Sequence, residues 1–343
     1  MKLPLPSLTV VIPNFNHGHL IEDQLRSIFA QTVQPAKILV IDDASTDNSV
    51  SVIRSLISSR KNVEVICKEA NSGVVRAMND GLHVAETECI GFLAADDMIL
   101  PGMFEKSLAL LARHTEAALC SGVSLVHHLS GNHEVPNRAA YPCSTSAFLN
   151  PAGVRSSLLV LEDWFMGNTT IFRREPLLAA GGFDLDLGSF ADGFLSRVLA
   201  LRHGACFIPE PLAIWRRVDA GYASSTRRDD GGFEQIMLIA NARMSTTFKD
   251  LFPSDLIARC TARMLFRVLC ARLDNFEARA RELFVAVQPP TLSSVFPLVI
   301  RLATRILKLL LFGMLRFRDI PRVALSKLAR RRLPTPEASA RSD

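Results

Sequence analysis

Several signatures of common protein classes are missing from this 343-residue sequence. None of its seven cysteines forms a CxxC pair, which disfavours a zinc ribbon, and their odd number and wide spacing disfavour a disulfide framework. No G-x-G-x-x-G follows the first apolar segment and no G-x-S-x-G occurs, so a dinucleotide-dependent dehydrogenase and a serine hydrolase are both disfavoured. We therefore expect reduced thiols and a cytoplasmic location.

Long apolar runs are lacking as well. In the apolar C-terminal region, the uninterrupted run Leu309–Leu315 is far shorter than the ~20 residues that a spanning helix needs. The segment Met1–Leu8 contains no secretory hydrophobic region. Apolar residues nevertheless make up 48% of the chain, so it can bury a full core and wholesale disorder is disfavoured.

Short apolar segments alternate with helical patterns along the first hundred residues. The segments with the character of buried strands are 8–12, 37–41, 63–67 and 89–93. This alternation predicts an α/β fold with a doubly wound, mostly parallel sheet and helices on both faces. Polar turns follow the strands, and such sheets bind ligands beyond the carboxyl ends of their strands, so these turns are expected to gather at one edge.

Four polar motifs occur at these turns in a distinctive order and spacing. They are Pro13-Asn-Phe-Asn16, Asp42-Asp43, Asn71-Ser-Gly-Val-Val-Arg-Ala-Met-Asn79 and Asp96-Asp97. Together they resemble the N-terminal half of family 2 glycosyltransferases, which have the GT-A fold. Further along, Gly181-Gly-Phe-Asp184 and Ala191-Asp192 resemble the acceptor half of that family. The resemblance covers roughly residues 8–225.

The resemblance implies a nucleotide-sugar donor and a role for each matching residue near the nucleotide. Pro13, Phe15 and Asn16 would line the nucleotide pocket. Asp43 would accept a hydrogen bond from the base, which favours uracil because its N3–H is a donor. Arg76 would approach the base or the phosphates.

The resemblance also implies roles for three acidic residues near the reacting end of the donor. Asp96 would touch the ribose and, together with Asp97, hold Mn²⁺ or Mg²⁺, which neutralises a diphosphate. Asp192 would take the proton from an acceptor hydroxyl, and the resulting in-line attack would invert the anomeric configuration. Asp184 and Asp186 compete with Asp192 for this role because they lie in the same loop.

The sequence departs from the family pattern at three places. Ala94 stands where the family often has an additional Asp, and Ala191 stands where a Glu usually precedes the base. The segment after Trp215 lacks a His that often helps to close the diphosphate loop, for which Arg216 or Arg217 is a substitute. These departures motivate a rival hypothesis, a catalytically inactive nucleotide-binding module. A transferase that uses a polyprenyl phosphate acceptor is a further alternative.

The C-terminal region is basic and amphipathic. Residues 301–332 contain ten Lys or Arg against a single acid, Asp319. Arg301, Arg305 and Lys308 share one helical face, which predicts an interfacial helix on an anionic membrane surface, with packing against the catalytic domain as the alternative. Nucleic acid is not expected as a partner because the stretch has few aromatic residues for stacking.

The expected organisation has four parts. They are a GT-A domain at 1–230 (nucleotide-sugar half 1–115, acceptor half 116–230), a helical extension at 231–290, a membrane-associating segment at 291–332 and a disordered tail at 333–343. The expected function is transfer of a sugar from a UDP-linked donor to a hydroxyl of a glycan or lipid-linked acceptor in cell-surface polysaccharide assembly. The expected location is peripheral, at the inner face of the plasma membrane.

Overall fold

The computed structural model describes residues 3–128, 134–136, 141–161, 164–217, 232–287 and 296–316. They fall into two compact units, one within Met1–Gly221 and the other within Tyr222–Asp343. The predicted tail at 333–343 and the basic residues after 316 lie outside the described ranges. The predicted division at residue 230 also lies outside them and stays a prediction.

Four parallel strands form the first half of one large sheet in the N-terminal unit. They are β1 (Leu8–Asn14), β2 (Lys37–Asp42), β3 (Val63–Cys67) and β4 (Cys89–Phe92), in the order β3-β2-β1-β4. Val11 pairs with Leu39 on one side and Phe92 on the other. Nearly every residue of β1 and β2 is buried, as expected for strands covered on both faces. The predicted doubly wound sheet is confirmed.

The second half of the sheet mixes strand directions. Its strands are β5 (Met98–Ile99), β6 (Leu119–His128), β7 (Glu134–Pro136), β8 (Ala147–Leu149), β9 (Ile171–Arg173) and β10 (Ala205–Arg217). The strand order continues as β4-β9-β6-β10-β5. β9 runs antiparallel to both β4 and β6, whereas β6 and β10 are parallel. β10 shifts register around Pro211, where a proline is tolerated because the ladder is already interrupted.

Seven α-helices accompany the sheet in the described part of this unit. They are α1 (Ile21–Phe29), α2 (Ser49–Ile57), α3 (Val74–Val84), α4 (Met103–Arg113), α5 (Pro151–Val160), α6 (Arg174–Ala179) and α7 (Ala191–His203). α3 lies so close to β1 that a Cβ on Gly81 would be less than 3.0 Å from the Val11 side chain. Glycine at this position therefore permits the close helix–sheet approach.

Two hydrogen bonds of one side chain join the two halves of the N-terminal unit. Asn79, the last residue of the Asn71–Asn79 motif, donates through Nδ2 to the carbonyl of Phe183 at 2.8 Å. The backbone N–H of Phe183 donates back to Asn79 Oδ1 at 2.9 Å. Gly182 has a φ of +73°, and a Cβ there would lie 2.7 Å from the same Oδ1. The Gly-Gly-Phe-Asp turn is thus held against α3 by an amide that requires glycine beside it.

The described part of the C-terminal unit is helical, with α8 (Gly232–Ser245), α9 (Ser254–Val287) and α10 (Phe296–Arg316). α10 packs on α9 through an ion pair between Lys308 and Asp274 and through the rings of Phe312 and Phe266, whose centroids are 5.9 Å apart. Among the helices in the described ranges, none has the length and apolar character to cross a membrane.

Candidate functional site

The loops that follow β1 and β2 are bonded to each other at the carboxyl edge of the sheet, the edge formed by the C-terminal ends of β1–β4. Asn16 has a φ of +57°, and its Oδ1 accepts hydrogen bonds from the backbone N–H groups of Thr46 and Asp47 at 2.8 and 3.2 Å. Pro13 is half-buried in β1, and the Phe15 ring is 41% exposed. The loop therefore presents an aromatic ring on a fixed backbone, as the nucleotide-pocket prediction requires.

Asp43 directly follows β2 and fixes the turn that leads into α3. Its buried carboxylate accepts hydrogen bonds from the backbone N–H groups of Ser72 at 3.1 Å and Gly73 at 2.7 Å, and Lys68 Nζ lies 3.2 Å away. Burial acts to raise the pKa of Asp43, but these donors outweigh it and hold that pKa below its usual value. Arg76 follows in the first turn of α3 with its side chain exposed.

The two neighbouring acids after β4 have different surroundings. Asp97 is 4% exposed, and its two oxygens accept hydrogen bonds from the backbone N–H of Arg216 at 3.2 Å and from Asn168 Nδ2 at 3.0 Å. Burial, together with the nearby charge of Asp96, raises the pKa of Asp97 well above its usual value. Asp96 is partly exposed, and its carboxylate accepts no hydrogen bond from the part of the chain described.

Arg216 in β10 binds the turn after β4 to the start of α1. Its guanidinium donates to the carbonyls of Asp96 at 2.6 Å, Asp97 at 3.3 Å and Leu20 at 3.2 Å, and it pairs with the Asp23 carboxylate at 2.7 Å. The side chain is only 11% exposed. Because its donors are already engaged, Arg216 is a structural contact in this arrangement. The side chain of Arg217 lies outside the described residues.

Asp192 reaches the same region from the other half of the unit. It lies in the first turn of α7, half-buried, and its Oδ1 accepts the backbone N–H of Gly193 at 2.7 Å. Its Oδ2 faces Gly167, the first residue of a 3₁₀ turn, Gly167–Thr169. Asn168 in that turn is the donor to Asp97, so one short turn contacts both the predicted base and one of the two predicted donor-side acids.

The predicted site residues are therefore distributed over one edge of the sheet. At this edge the loop after β1 contacts the loop after β2, which in turn contacts the turn before α3. The turn after β4 contacts β10 and the Gly167–Thr169 turn, and the latter faces the first turn of α7. Asp184 accepts the N–H of Asp186 at 3.0 Å, and Asp186 is exposed.

Two residues at this edge, Asn168 and Arg216, have contacts that sequence reasoning did not assign. From the sequence, Arg216 was expected only as a substitute for the His that helps to close the diphosphate loop, and Asn168 had no assigned role. Their partners lie 71 and about 120 residues away in sequence, so no local pattern indicates these contacts. A buried carboxylate such as that of Asp97 requires hydrogen-bond donors. In this structure the donors are the side chain of Asn168 and the backbone N–H of Arg216.

A divalent cation fits this edge through one protein carboxylate. Asp96 offers oxygens that no described residue occupies, whereas both oxygens of Asp97 are engaged. Within the described ranges, no three or more His, Cys, Asp or Glu side chains converge on one point. Mg²⁺ and Mn²⁺ are commonly held by one or two carboxylates plus the phosphates of a substrate, so a preformed cluster is not required.

Known proteins resemble this chain in both sequence and fold. An uncharacterized protein of Mycobacterium tuberculosis is 29% identical over 225 residues, which are 63% of this chain and 68% of that one. The putative teichuronic acid biosynthesis glycosyltransferase TuaG of Bacillus subtilis is 28% identical over 35% of this chain and 48% of its own. The S. aureus TarS 1–349 structure in complex with UDP-GlcNAc superposes with a TM-score of 0.60 at 19% identity, covering 95% of this chain and 91% of that one.

Apart from the mycobacterial protein, the chain spans between 33% and 65% of the length of the curated relatives it matches here. The TarS likeness supports the GT-A assignment of the fold. The family model described as Glycosyl transferase family 2 matches residues 9–154, which contain all four N-terminal motifs. The N-terminal part of this chain is thus similar to glycosyl transferase family 2, and two curated relatives named as glycosyltransferases match 32% and 33% of the chain.

Proposed function

We propose that this chain is an inverting glycosyltransferase that moves a sugar from a UDP-sugar to a hydroxyl of a glycan or lipid-linked acceptor. The observation that carries the proposal is the shared contact of the Gly167–Thr169 turn with Asp97 and Asp192. This shared contact supports Asp192, in the acceptor half, as a base that acts near Asp97 of the donor half. Cell-surface polysaccharide assembly is the process proposed, because TuaG is named for teichuronic acid biosynthesis.

The chemistry assigned to Asp192 is a single displacement. Its carboxylate takes the proton of the acceptor hydroxyl while that oxygen forms a bond to the anomeric carbon. The bond from the anomeric carbon to the β-phosphate oxygen breaks, and its electron pair leaves with UDP. Attack opposite the leaving group inverts the anomeric configuration. A positioned base contributes roughly 10²–10⁴-fold to such a reaction.

The donor side of the site is assigned to the loops of the carboxyl edge. Phe15 offers a ring for base stacking, Arg76 is an exposed cation, and Asp43 orders the turn that carries Arg76 into α3. Asp96 would hold Mn²⁺ or Mg²⁺ together with the diphosphate. When bound, the cation stabilises the charge that develops on the departing diphosphate. UDP-GlcNAc is the first donor to test because TarS has been solved with it.

Calorimetric titration of nucleotide diphosphates tests the donor assignment. We expect UDP to bind more tightly than GDP, TDP or ADP, and to bind roughly tenfold or more weakly when a chelator removes divalent cations. Asp96→Asn should remove the cation dependence, because it removes the carboxylate that is open to the metal. Glu86→Gln is the matched control, since Glu86 is exposed and precedes β4 at the opposite edge.

The absence of binding by any of the four nucleotide diphosphates, with or without Mn²⁺, would overturn the glycosyltransferase proposal. UDP binding without release of UDP from any UDP-sugar would instead support the inactive nucleotide-binding module. A cation dependence that survives Asp96→Asn but not Asp97→Asn would transfer the ligand role to Asp97.

We further propose that α10 lies on an anionic membrane surface. It turns Thr304, 3% exposed, toward the interior of its unit, whereas five large apolar side chains are exposed to solvent: Leu302, Ile306, Leu307, Leu309 and Leu310. Arg301 and Arg305 are exposed at one border of this apolar face. A helix that points its apolar face outward, with cations beside it, matches an interfacial helix better than a helix whose apolar face is packed in a core.

Vesicle flotation measures this association. The native chain should float with phosphatidylcholine vesicles that contain phosphatidylserine and should bind less as salt rises. Ile306→Asp with Leu309→Asp should reduce binding roughly tenfold or more, because each large apolar side chain contributes about 1.5–3 kcal/mol when buried. Leu238→Asp, at an exposed leucine of α8, is the control. Equal flotation of both variants and the native chain would contradict the assignment.

A further inference from the structure

The Gly167–Thr169 turn is anchored to β6 by buried hydroxyl groups. Thr169 is fully buried, and its Oγ1 accepts the backbone N–H of Gly122 at 3.1 Å and lies 3.2 Å from Ser121 Oγ. Ser121 Oγ also accepts the backbone N–H of Met166 at 3.1 Å, and Thr170 Oγ1 donates to the Met166 carbonyl at 2.8 Å. A turn whose side chains are this fully bonded inside the core has a well-defined position.

The anchored turn contacts two acids that lie 95 positions apart in sequence. On one side, Asn168 Nδ2 donates to Asp97 Oδ2 at 3.0 Å. On the other side, the Cα of Gly167 faces the Asp192 carboxylate so closely that an added Cβ would lie less than 3.0 Å from Oδ2. Any side chain at 167 would therefore occupy the space of that oxygen.

We propose that Gly167 and Asn168 are positioning residues that set the distance between Asp192 and the donor-side acids. The inference rests on the proposed function, because it assumes that Asp192 is the base. Gly167 leaves room for the carboxylate in the orientation observed, and Asn168 holds the turn to Asp97, beside Asp96. Neither residue needs to contact the donor or the acceptor to act in this way.

Gly167→Ala separates this role from a structural one. The φ of Gly167 is not in the left-handed region, and the only atoms that an added Cβ meets belong to the Asp192 side chain. That side chain can rotate away, so the melting temperature should change by no more than about 2 °C. Misplacement of a catalytic group by about 1 Å costs roughly 10²-fold, so turnover should fall by about that factor while the KM for the UDP-sugar stays within about twofold.

The assay is release of UDP from UDP-GlcNAc, UDP-glucose and UDP-galactose, compared between the native chain and its variants. Gly153→Ala is the matched control, because a Cβ there makes only ordinary contacts, with Asn150 Oδ1 at 3.4 Å and Leu149 Cβ at 3.7 Å. In an Asp192→Asn background, Gly167→Ala should have no further effect, since the two substitutions act through one carboxylate. Native turnover in Gly167→Ala, or full additivity with Asp192→Asn, would overturn the role of Gly167.

Exchanging the two side chains of the Asn168–Asp97 hydrogen bond tests the role of Asn168. Asn168→Asp places two carboxylates next to each other and should lower turnover. Asp97→Asn combined with Asn168→Asp restores one donor and one acceptor and should recover most of the lost turnover. Failure of the exchange to recover any turnover would overturn the role of Asn168. A native chain that binds no UDP, or releases none, would refute the proposed function and this inference with it, whereas native activity with unaffected variants refutes the inference alone.

Discussion

Asp192→Asn is expected to lower turnover roughly 10²–10⁴-fold while the affinity for UDP stays within about twofold of native. Asparagine keeps the size of the side chain and an oxygen that can accept the Gly193 N–H, so the start of α7 is preserved. It cannot take a proton from an acceptor hydroxyl. The loss should therefore appear in the rate of UDP release and not in calorimetric binding of the nucleotide.

Asp184→Asn and Asp186→Asn are the matched controls, because they change the same kind of group in the loop that precedes α7. Their turnover should stay within a few-fold of native. A large loss in either one, with Asp192→Asn active, would move the base to that residue. Retained turnover in all three variants would favour a polyprenyl phosphate acceptor, whose phosphate oxygen is already ionised and needs no strong base.

Ala191 and Ala94, the two alanines that depart from the family pattern, lie in different surroundings. Ala191 is 2% exposed, so its side chain lies in the interior and does not face the surface where an acceptor would bind. Ala94 follows β4, and its carbonyl accepts Gln24 Nε2 at 3.0 Å, which holds the turn in place without a carboxylate. In the proposed site, the absence of an acid at 94 leaves Asp96 as the carboxylate that would hold the cation.

The first half of the sheet could be predicted from sequence because its strands are continuous apolar runs separated by helices of ordinary length. β1 and β3 begin at the predicted residues, and β2 differs from its prediction by a single residue at its end. Parallel strands place their C-terminal turns at one edge, so the grouping of the polar motifs also followed from the pattern.

β6 and β10 were not predicted, and the reason is local composition. β6 contains Ser121, Gly122 and Ser124 in its buried part, and Thr169 supplies hydrogen bonds to the first two from another part of the chain. β10 contains Pro209 and Pro211, which ordinarily argue against a central strand. Tertiary contacts compensate in both cases, and a sequence window does not contain them.

The different surroundings of Asp96 and Asp97 were equally inaccessible from sequence. Neighbouring residues in a turn point in different directions, and only the positions of Asn168 and Arg216 show that Asp97 is the one directed inward. The hypothesis that Arg216 acts near a diphosphate arose from its position after Trp215, where the family pattern often has a His. Because the Arg216 guanidinium is surrounded by backbone carbonyls, we expect it to contribute measurably to the stability of the fold.

Arg216→Ala is expected to lower the free energy of unfolding by roughly 2–4 kcal/mol, because it removes the guanidinium donor to the carbonyls of Asp96 and Asp97. It also removes one donor to the carbonyl of Leu20, which keeps the backbone N–H of Asp23. Urea unfolding measures this loss. Arg26→Ala, which removes an exposed ion pair with Glu22 on α1, should cost no more than about 1 kcal/mol and is the control. A loss in Arg216→Ala no larger than that of the control would show that the Arg216 contacts contribute little.

Arg216→Lys distinguishes charge from geometry at the same position. Lysine keeps the cation beside Asp23, but its single ammonium group cannot reproduce the fork through which the guanidinium binds several carbonyls at once. We expect it to recover less than half of the lost stability. Both variants should also weaken UDP binding roughly tenfold, because the turn that carries Asp96 loses its contact with β10. Native UDP affinity in Arg216→Ala would mean that Asp96 keeps its position without this arginine.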